Sequence, residues 1–189
     1  MAGSDPRRKR QCPLINLPPR CFALDPLNPN YATAYQAHSV VLGAMKRHEE
    51  SIAEAMRGLE VDPLSIPRNN IVGEMLSVAR QWERAIDQYR KTIELDLGVA
   101  LVHENLGTAL EEAGKYDEAI EEYLAARTLS AEDPSVVGEL REAYTREGLR
   151  GFRQKQLELA LARWTGWHVD AFQVASCYTR LDHPTPALA

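Results

Sequence analysis

Hydrophobic and polar positions along the chain follow the period of an amphipathic helix, most clearly in Leu106–Tyr123, which reads LGTALEEAGKYDEAIEEY. Its apolar residues recur three or four positions apart before and after a central glycine, Gly114. This spacing places them on one face of a helix, and glycine tolerates the positive φ with which many helices end. The pattern predicts a hairpin of two amphipathic helices.

The same pattern recurs along the chain at a constant interval. Leu106–Tyr123 aligns with Val72–Tyr89, one interval earlier. Further steps of the same length align His38–Ala55, Leu140–Leu157 and the stretch that begins at Val174. We therefore predict five repeats, which begin near residues 32, 66, 100, 134 and 168. A single hairpin cannot bury its apolar face alone, so such repeats are expected to stack on one another.

These stretches are similar to the tetratricopeptide (TPR) repeat, a helix–turn–helix unit of about 34 residues. The resemblance covers residues 32–189. It implies an all-α fold: a right-handed superhelical solenoid of antiparallel helix pairs, with about four full units and a truncated fifth. On this interpretation the TPR solenoid occupies residues 27–189. Residues 1–26 form an irregular, proline-rich and basic N-terminal segment.

Small and large side chains are arranged in the repeats as close helix packing requires. Gly107 in the predicted first helix and Ala119 in the second would let the two helices approach to about 8–10 Å. Large side chains are expected to fill the space beside them and to be buried; these are Leu76, Leu110, Tyr144, Tyr89, Tyr123 and Leu157. The same hairpin packing is thus predicted for each repeat.

The fourth repeat departs from this pattern at Arg153, where the second and third repeats have alanine. A buried, unpaired arginine would cost several kcal/mol, so we expect this helix to shift and keep Arg153 in water. Leu140–Leu161 also resembles a variant unit from long TPR regions of bacterial signalling proteins. That resemblance implies an alternative function, a regulatory or sensory fragment of a bacterial transcription regulator or serine/threonine kinase that lacks its effector domain.

The fifth repeat reaches Ala189 before its second helix is complete. Solenoids normally close with a polar capping helix. We therefore expect the chain either to be a fragment of a longer protein or to self-associate through this uncapped repeat.

The net charge of −5 is unevenly distributed, with +3 on residues 1–26 and −8 on the remainder. An acidic body is unlike the basic stripe of nucleic-acid-binding proteins, so we expect no direct contact with nucleic acid. Apolar runs fall short of the ~20 residues of a membrane span, and no signal peptide is evident. The sequence therefore predicts a cytoplasmic protein that does not enter a membrane.

Candidate catalytic chemistry is missing from the sequence. The three cysteines form no CxxC pair, and the five histidines never occur three or four residues apart, as paired metal ligands on a helix do. No nucleophile elbow, phosphate-binding loop or zinc-protease motif is present. We expect no enzyme activity, no cofactor, no metal and no small-molecule substrate.

The resemblance to TPR proteins implies that a partner lies in the concave groove formed by the first helices. The residues at those positions are Gln36, Asn70, Glu74, Glu104, Thr108, Glu111 and Glu142. The glutamates predict an acidic groove that favours a basic segment of a protein or peptide partner. The alternative is that they form ordinary solvated helix faces. The predicted function is a non-enzymatic protein–protein interaction or scaffold module.

Overall fold

The computed structural model describes residues 32–162. These residues form seven helices: α1 Ala32–Ala44, α2 His48–Val61, α3 Ile66–Val78, α4 Trp82–Leu95, α5 Ala100–Glu112, α6 Tyr116–Leu129 and α7 Pro134–Ala162. The part of the chain that the structure describes contains no strand. The prediction of an all-α repeat fold is therefore confirmed. The N-terminal segment 1–26 and the fifth repeat near residue 168 lie outside the described residues.

The odd-numbered helices begin at the same position of successive repeats, at Ala32, Ile66, Ala100 and Pro134. Two of them begin with a proline in the first turn, Pro67 in α3 and Pro134 in α7. Proline suits this place because its missing N–H would lack an intrahelical partner anyway. Asp133 caps α7, since its Oδ1 accepts hydrogen bonds from the Ser135 N–H at 2.8 Å and hydroxyl at 2.7 Å.

Three hairpin turns share one backbone conformation, with a left-handed residue at Lys46 (φ 60°), Arg80 (φ 57°) and Gly114 (φ 79°). In the third, the Lys115 N–H donates to the Leu110 carbonyl at 2.8 Å and the Gly114 N–H donates to the Glu111 carbonyl at 3.0 Å. This is a Schellman motif, which ends the helix and reverses the chain. The predicted turn role of Gly114 is confirmed.

The chain divides into two compact units, with the boundary between Gln88 and Tyr89 inside α4. In the N-terminal compact unit, α1, α2 and α3 pack against one another. Their core includes Leu42, Ile52 and Leu76, each almost fully buried. The buried Ser51 hydroxyl donates to the Ser39 carbonyl at 2.7 Å and so joins α2 to α1. These buried hydroxyl and carbonyl groups are hydrogen-bonded, as stability requires.

In the C-terminal compact unit, α5 and α6 form a tightly packed hairpin. A Cβ atom at Gly107 would lie 2.8 Å from the ring of Tyr123 and 3.2 Å from the carbonyl oxygen of Ala119. Gly107 therefore lets the two helices come closer than any other residue would. The predicted close packing at Gly107 and Ala119 is confirmed, and Leu110 fills the core beside them.

Helix α7 is a hairpin within one helical element. Its backbone is non-helical at Gly148 alone (φ 63°, ψ −153°), and we call residues 134–147 the first arm and residues 149–162 the second arm. The arms lie against each other, since a Cβ atom at Gly151 would be 2.6 Å from the Ala143 carbonyl oxygen. Lys155 Nζ also lies 2.8 Å from the Glu139 carboxylate.

Two expectations about the fourth repeat are wrong. Arg153 is not in water: its side chain is 11% exposed and is ion-paired with Glu111, whose side chain is 9% exposed. The pairing removes the cost that led us to expect a solvated arginine. Tyr144 and Leu157 are half-buried rather than core residues. In the second arm of α7 the buried aromatic residue is Phe152, whose ring stacks on Tyr123 with centroids 6.0 Å apart.

Candidate functional site

The predicted groove residues of the N-terminal compact unit lie on α1 and α3. Asn70 is 6% exposed, and its Nδ2 donates to Glu74 Oε1 at 2.7 Å, one helical turn further along α3. Gln36 is half-buried on α1, and its backbone carbonyl accepts a hydrogen bond from the Ser39 hydroxyl at 2.8 Å. The Asn70–Glu74 pair is thus held in one geometry by the helix that carries it.

On α5, two predicted groove residues belong to an internal network. The Thr108 hydroxyl donates to the Glu104 carbonyl at 3.1 Å, and the Tyr123 hydroxyl lies 3.3 Å from Thr108 Oγ1 and 3.0 Å from Glu111 Oε2. Glu111 is also paired with Arg153. The sequence predicts an accessible carboxylate at Glu111, whereas the structure buries it between these two donors. Thr108 and Glu111 therefore support the hairpin from inside.

Glu104 and Glu142, the other predicted glutamates of the C-terminal compact unit, are exposed. Glu104 lines a cleft of about 570 Å³. The cleft lies where α5 begins and α6 ends, and its lining also includes Ala100, Tyr123, Arg127, Asp133 and Gln156. Glu142 lies on the first arm of α7 and is not part of this lining.

The cleft carries an excess of negative charge. Arg127 is ion-paired with Glu132, which also lines the cleft, at 3.1 Å, so its positive charge is locally neutralised. Hydrogen bonds from the Ser135 hydroxyl and N–H hold the pKa of Asp133 below its usual value. Asp133 therefore stays ionised, and together with Glu104 it gives the cleft two exposed carboxylates. This arrangement favours a cationic group.

Part of this cleft was not predicted from the sequence. The predicted groove residues lie on first helices, while Arg127 lies on α6 and Gln156 on the second arm of α7. The acidic pair Glu132–Asp133, at the boundary between two repeats, is a sequence signal for this cleft that the predicted groove residues do not include. The contribution of Gln156 could not be foreseen, because the second arm does not follow the packing of the other repeats.

Two of the three described histidines form contacts between the helices of their own hairpins. Their partners, Glu54 and Glu122, lie at one second-helix position that recurs at Gln88, which forms a similar contact without a histidine in the repeat between them. The three contacts are His38 Nδ1 to Glu54 Oε2 at 3.2 Å, Gln88 Nε2 to Asn69 Oδ1 at 2.8 Å, and His103 Nδ1 to Glu122 Oε2 at 2.6 Å. His38 and His103 therefore act as polar links in the fold.

Within residues 32–162 no group of three or more histidine, cysteine or acidic side chains is placed to hold a metal ion. None of the helices in this range is both long and apolar enough to cross a membrane.

Residues 100–133, which contain α5, its turn and α6, match the family model described as a tetratricopeptide repeat. No curated protein matches the sequence. The crystal structure of MamA is similar at 15% identity and a TM-score of 0.51, over 82% of this chain and 78% of that chain. A structure of the MamA RS-1 ArsTM double mutant is similar at 14% identity and a TM-score of 0.49, over 80% and 74% of the two chains.

At such identities the likeness to MamA concerns the fold alone. The narrower resemblance of Leu140–Leu161 to repeats of bacterial signalling proteins stays a prediction. The family match at α5–α6 nevertheless agrees with the regular recurrence of first helices at Ala32, Ile66, Ala100 and Pro134. Residues 100–133 thus match a tetratricopeptide repeat, and the described helices recur at the period of that repeat.

Proposed function

We propose that the chain is a non-enzymatic protein–protein interaction module, and that the cleft beside Glu104 binds a basic segment of a partner protein. Proteins built from tetratricopeptide repeats generally serve as scaffolds for other proteins. We further propose that this module works in the cytoplasm, without a cofactor and without a small-molecule substrate.

The observation that carries the proposal is the charge of the cleft. Glu104 and Asp133 are exposed there, while Arg127 is occupied by Glu132. A lysine or arginine placed about 4 Å from one of these carboxylates would gain about 1–4 kcal/mol, depending on how much water remains. Such an interaction selects basic over acidic segments more than it adds raw affinity.

The other predicted groove residues have different proposed roles within their own compact units. Glu142 offers a further exposed carboxylate in the C-terminal compact unit. The Asn70–Glu74 pair offers a fixed polar contact in the N-terminal compact unit, with Gln36 on α1. Thr108 and Glu111 act through the packing of α5 and not by touching the partner, because Glu111 is bound to Arg153.

The experiment begins with a peptide display library, from which binders of the full chain are selected at low salt. We expect the selected peptides to be rich in lysine and arginine and to bind more weakly as salt is raised, because exposed charges are screened. Glu104→Lys should weaken binding at least about tenfold. Glu60→Lys is the matched control, since Glu60 is exposed on α2 and does not line the cleft.

Two results would refute the proposal. One is a set of selected peptides with no basic residues. The other is an equal loss of binding in Glu104→Lys and Glu60→Lys, which would trace the effect to net charge and not to the cleft.

A further inference from the structure

The connection inside α7 is much shorter than the other hairpin turns. The turns after α1, α3 and α5 contain three residues each, whereas only Gly148 separates the two arms of α7. Its φ of 63° and ψ of −153° lie in a region that glycine alone adopts without strain. A change in the φ and ψ angles of this one residue would convert the hairpin into a continuous helix.

The continuous helix has a clear energetic advantage at the connection itself. In the hairpin, the first N–H groups of the second arm and the last carbonyls of the first arm lie at helix ends, where intrahelical hydrogen bonds are missing. With helical dihedrals at Gly148 the two arms would form one helix of 29 residues, about 44 Å long, in which these groups pair. The second arm would then leave the chain's own core.

If the second arm leaves the core, its own inner face and the surface that it covered are both exposed, and these two surfaces fit each other. The second arm carries Phe152, which stacks on Tyr123 of α6, and Arg153, which pairs with Glu111 of α5. An unpaired buried charge and an uncovered aromatic face are both costly. A second copy of this chain offers the same partners in the same arrangement, so it is the occupant that the vacated surface fits best.

The contacts between the arms also allow an exchange between two copies. Gly151 packs on Ala143, and Lys155 pairs with Glu139. In each contact the two residues lie equally far along the sequence from residue 147, one before it and one after it. Two continuous helices that cross in antiparallel orientation at residue 147 would therefore reproduce both contacts, each formed between chains.

We propose that Gly148 is a hinge through which two copies of this chain exchange their second arms. In the exchanged dimer, residues 149–162 of one copy pack against α5, α6 and the first arm of the other copy. The partner is a second copy of this chain, and the interaction surface is the one that the second arm covers in the monomer. Short hinge connections are a known route to such exchange.

Gly148→Ala tests the hinge because alanine is strained in the hairpin conformation and favoured in a helix. By sedimentation velocity of the full chain, we expect this substitution to lower the dimer dissociation constant at least about tenfold. Gly114→Ala is the matched control. It also replaces a glycine with positive φ, but in a three-residue turn, and should leave the dissociation constant unchanged.

Cross-linking shows which arm belongs to which chain. In a background without Cys12, Cys21 and Cys177, the pair Glu139→Cys and Lys155→Cys is joined with a short thiol-reactive linker. In the otherwise wild-type chain we expect links within one chain. With Gly148→Ala added, the links should join two chains and give a covalent dimer on a denaturing gel.

A third variant covers the case in which Gly148→Ala fails to fold. Two glycines inserted after Gly148 lengthen the connection, and this chain should be less dimeric than wild type at every concentration. The proposal is overturned if Gly148→Ala sediments like Gly114→Ala, if its dimer is linked only within chains, or if the lengthened connection leaves dimerisation unchanged.

Discussion

The hairpin α5–α6 and the hairpin inside α7 occupy the same positions of successive repeats, yet they are packed differently. In α5–α6 a left-handed Gly114 begins the reversal of the chain, and Gly107 lies against the Tyr123 ring. In α7 a single residue reverses the chain, and the closest approach is at Gly151. A shared sequence period therefore fixes where helices begin but not which faces they bury.

The shorter turn occurs together with a different buried face. Phe152 is buried although its counterpart one repeat earlier, Glu118, is exposed. Arg153 is the counterpart of the fully buried Ala119 and also points inward, where Glu111 neutralises it. The fourth repeat thus combines an aromatic contact with a buried ion pair, whereas the third has a small residue, Ala119, at the position equivalent to Arg153.

The largest expected effect concerns the ion pair that distinguishes α7. Glu111→Ala leaves Arg153 buried without its carboxylate, so we expect the free energy of unfolding in urea to fall by about 3–5 kcal/mol. The double variant Glu111→Leu with Arg153→Met replaces the pair by apolar groups, and its free energy of unfolding should be close to that of the wild type. Equal losses in both variants would show that the charge pairing does not matter.

The second-largest expected effect on the free energy of unfolding comes from disrupting the close packing at Gly107. Gly107→Ala places a Cβ atom 2.8 Å from the Tyr123 ring, and we expect a loss of about 1–3 kcal/mol in urea unfolding. Gly138→Ala is the control, because a Cβ atom there meets nothing within 4 Å. That variant should be neutral or slightly more stable, by up to about 1 kcal/mol. Identical behaviour of the two variants would contradict the packing we describe.

A smaller effect is expected at the left-handed turn residues. Gly114→Ala should cost about 1 kcal/mol, because alanine is strained at a φ of 79°. Arg80→Gly should gain up to about 1 kcal/mol, since glycine relieves the same conformation in the turn before α4. Thermal unfolding measures both shifts. A gain at Gly114→Ala would mean that this turn is not left-handed.

The smallest effect is a pH dependence at Tyr144, on the first arm of α7. Burial and the hydrogen bond to Asp117, at 2.5 Å, raise the pKa of Tyr144 to about 12. The neutral phenol is therefore favoured in the folded state. The neutral Tyr144 phenol contributes about 1 kcal/mol or less to the free energy of unfolding. This contribution is complete below pH ~10 and is lost as the pH rises to about 12. The stability difference between wild type and Tyr144→Phe should shrink over this range; a difference that grows would be contrary to expectation.

How far the sequence predicts the structure depends on the repeat. The alternation of small and large residues at Gly107, Ala119 and Leu110 was enough to predict the α5–α6 hairpin, because those side chains meet within one helix pair. The burial of Glu111 could not be predicted, because its partner Arg153 belongs to the next repeat, on an arm that leaves the common packing.

The candidate site, like the fold, was predicted only in part from the sequence. Glu104 was identified from its position in the repeat, and it lies in the cleft. The neutralisation of Arg127 by Glu132 and the capping role of Asp133 needed the three-dimensional structure, because both arise where one repeat ends and the next begins.

Charge exchange at Glu104 tests the central claim most directly. A basic peptide selected on the wild-type chain, and the same peptide with each lysine and arginine replaced by glutamate, are titrated against wild type and Glu104→Lys by fluorescence anisotropy. We predict that wild type binds the basic peptide at least about tenfold more tightly than the acidic one, and that Glu104→Lys reduces this preference by at least about tenfold. An unchanged preference in Glu104→Lys would contradict the claim that this cleft binds the partner.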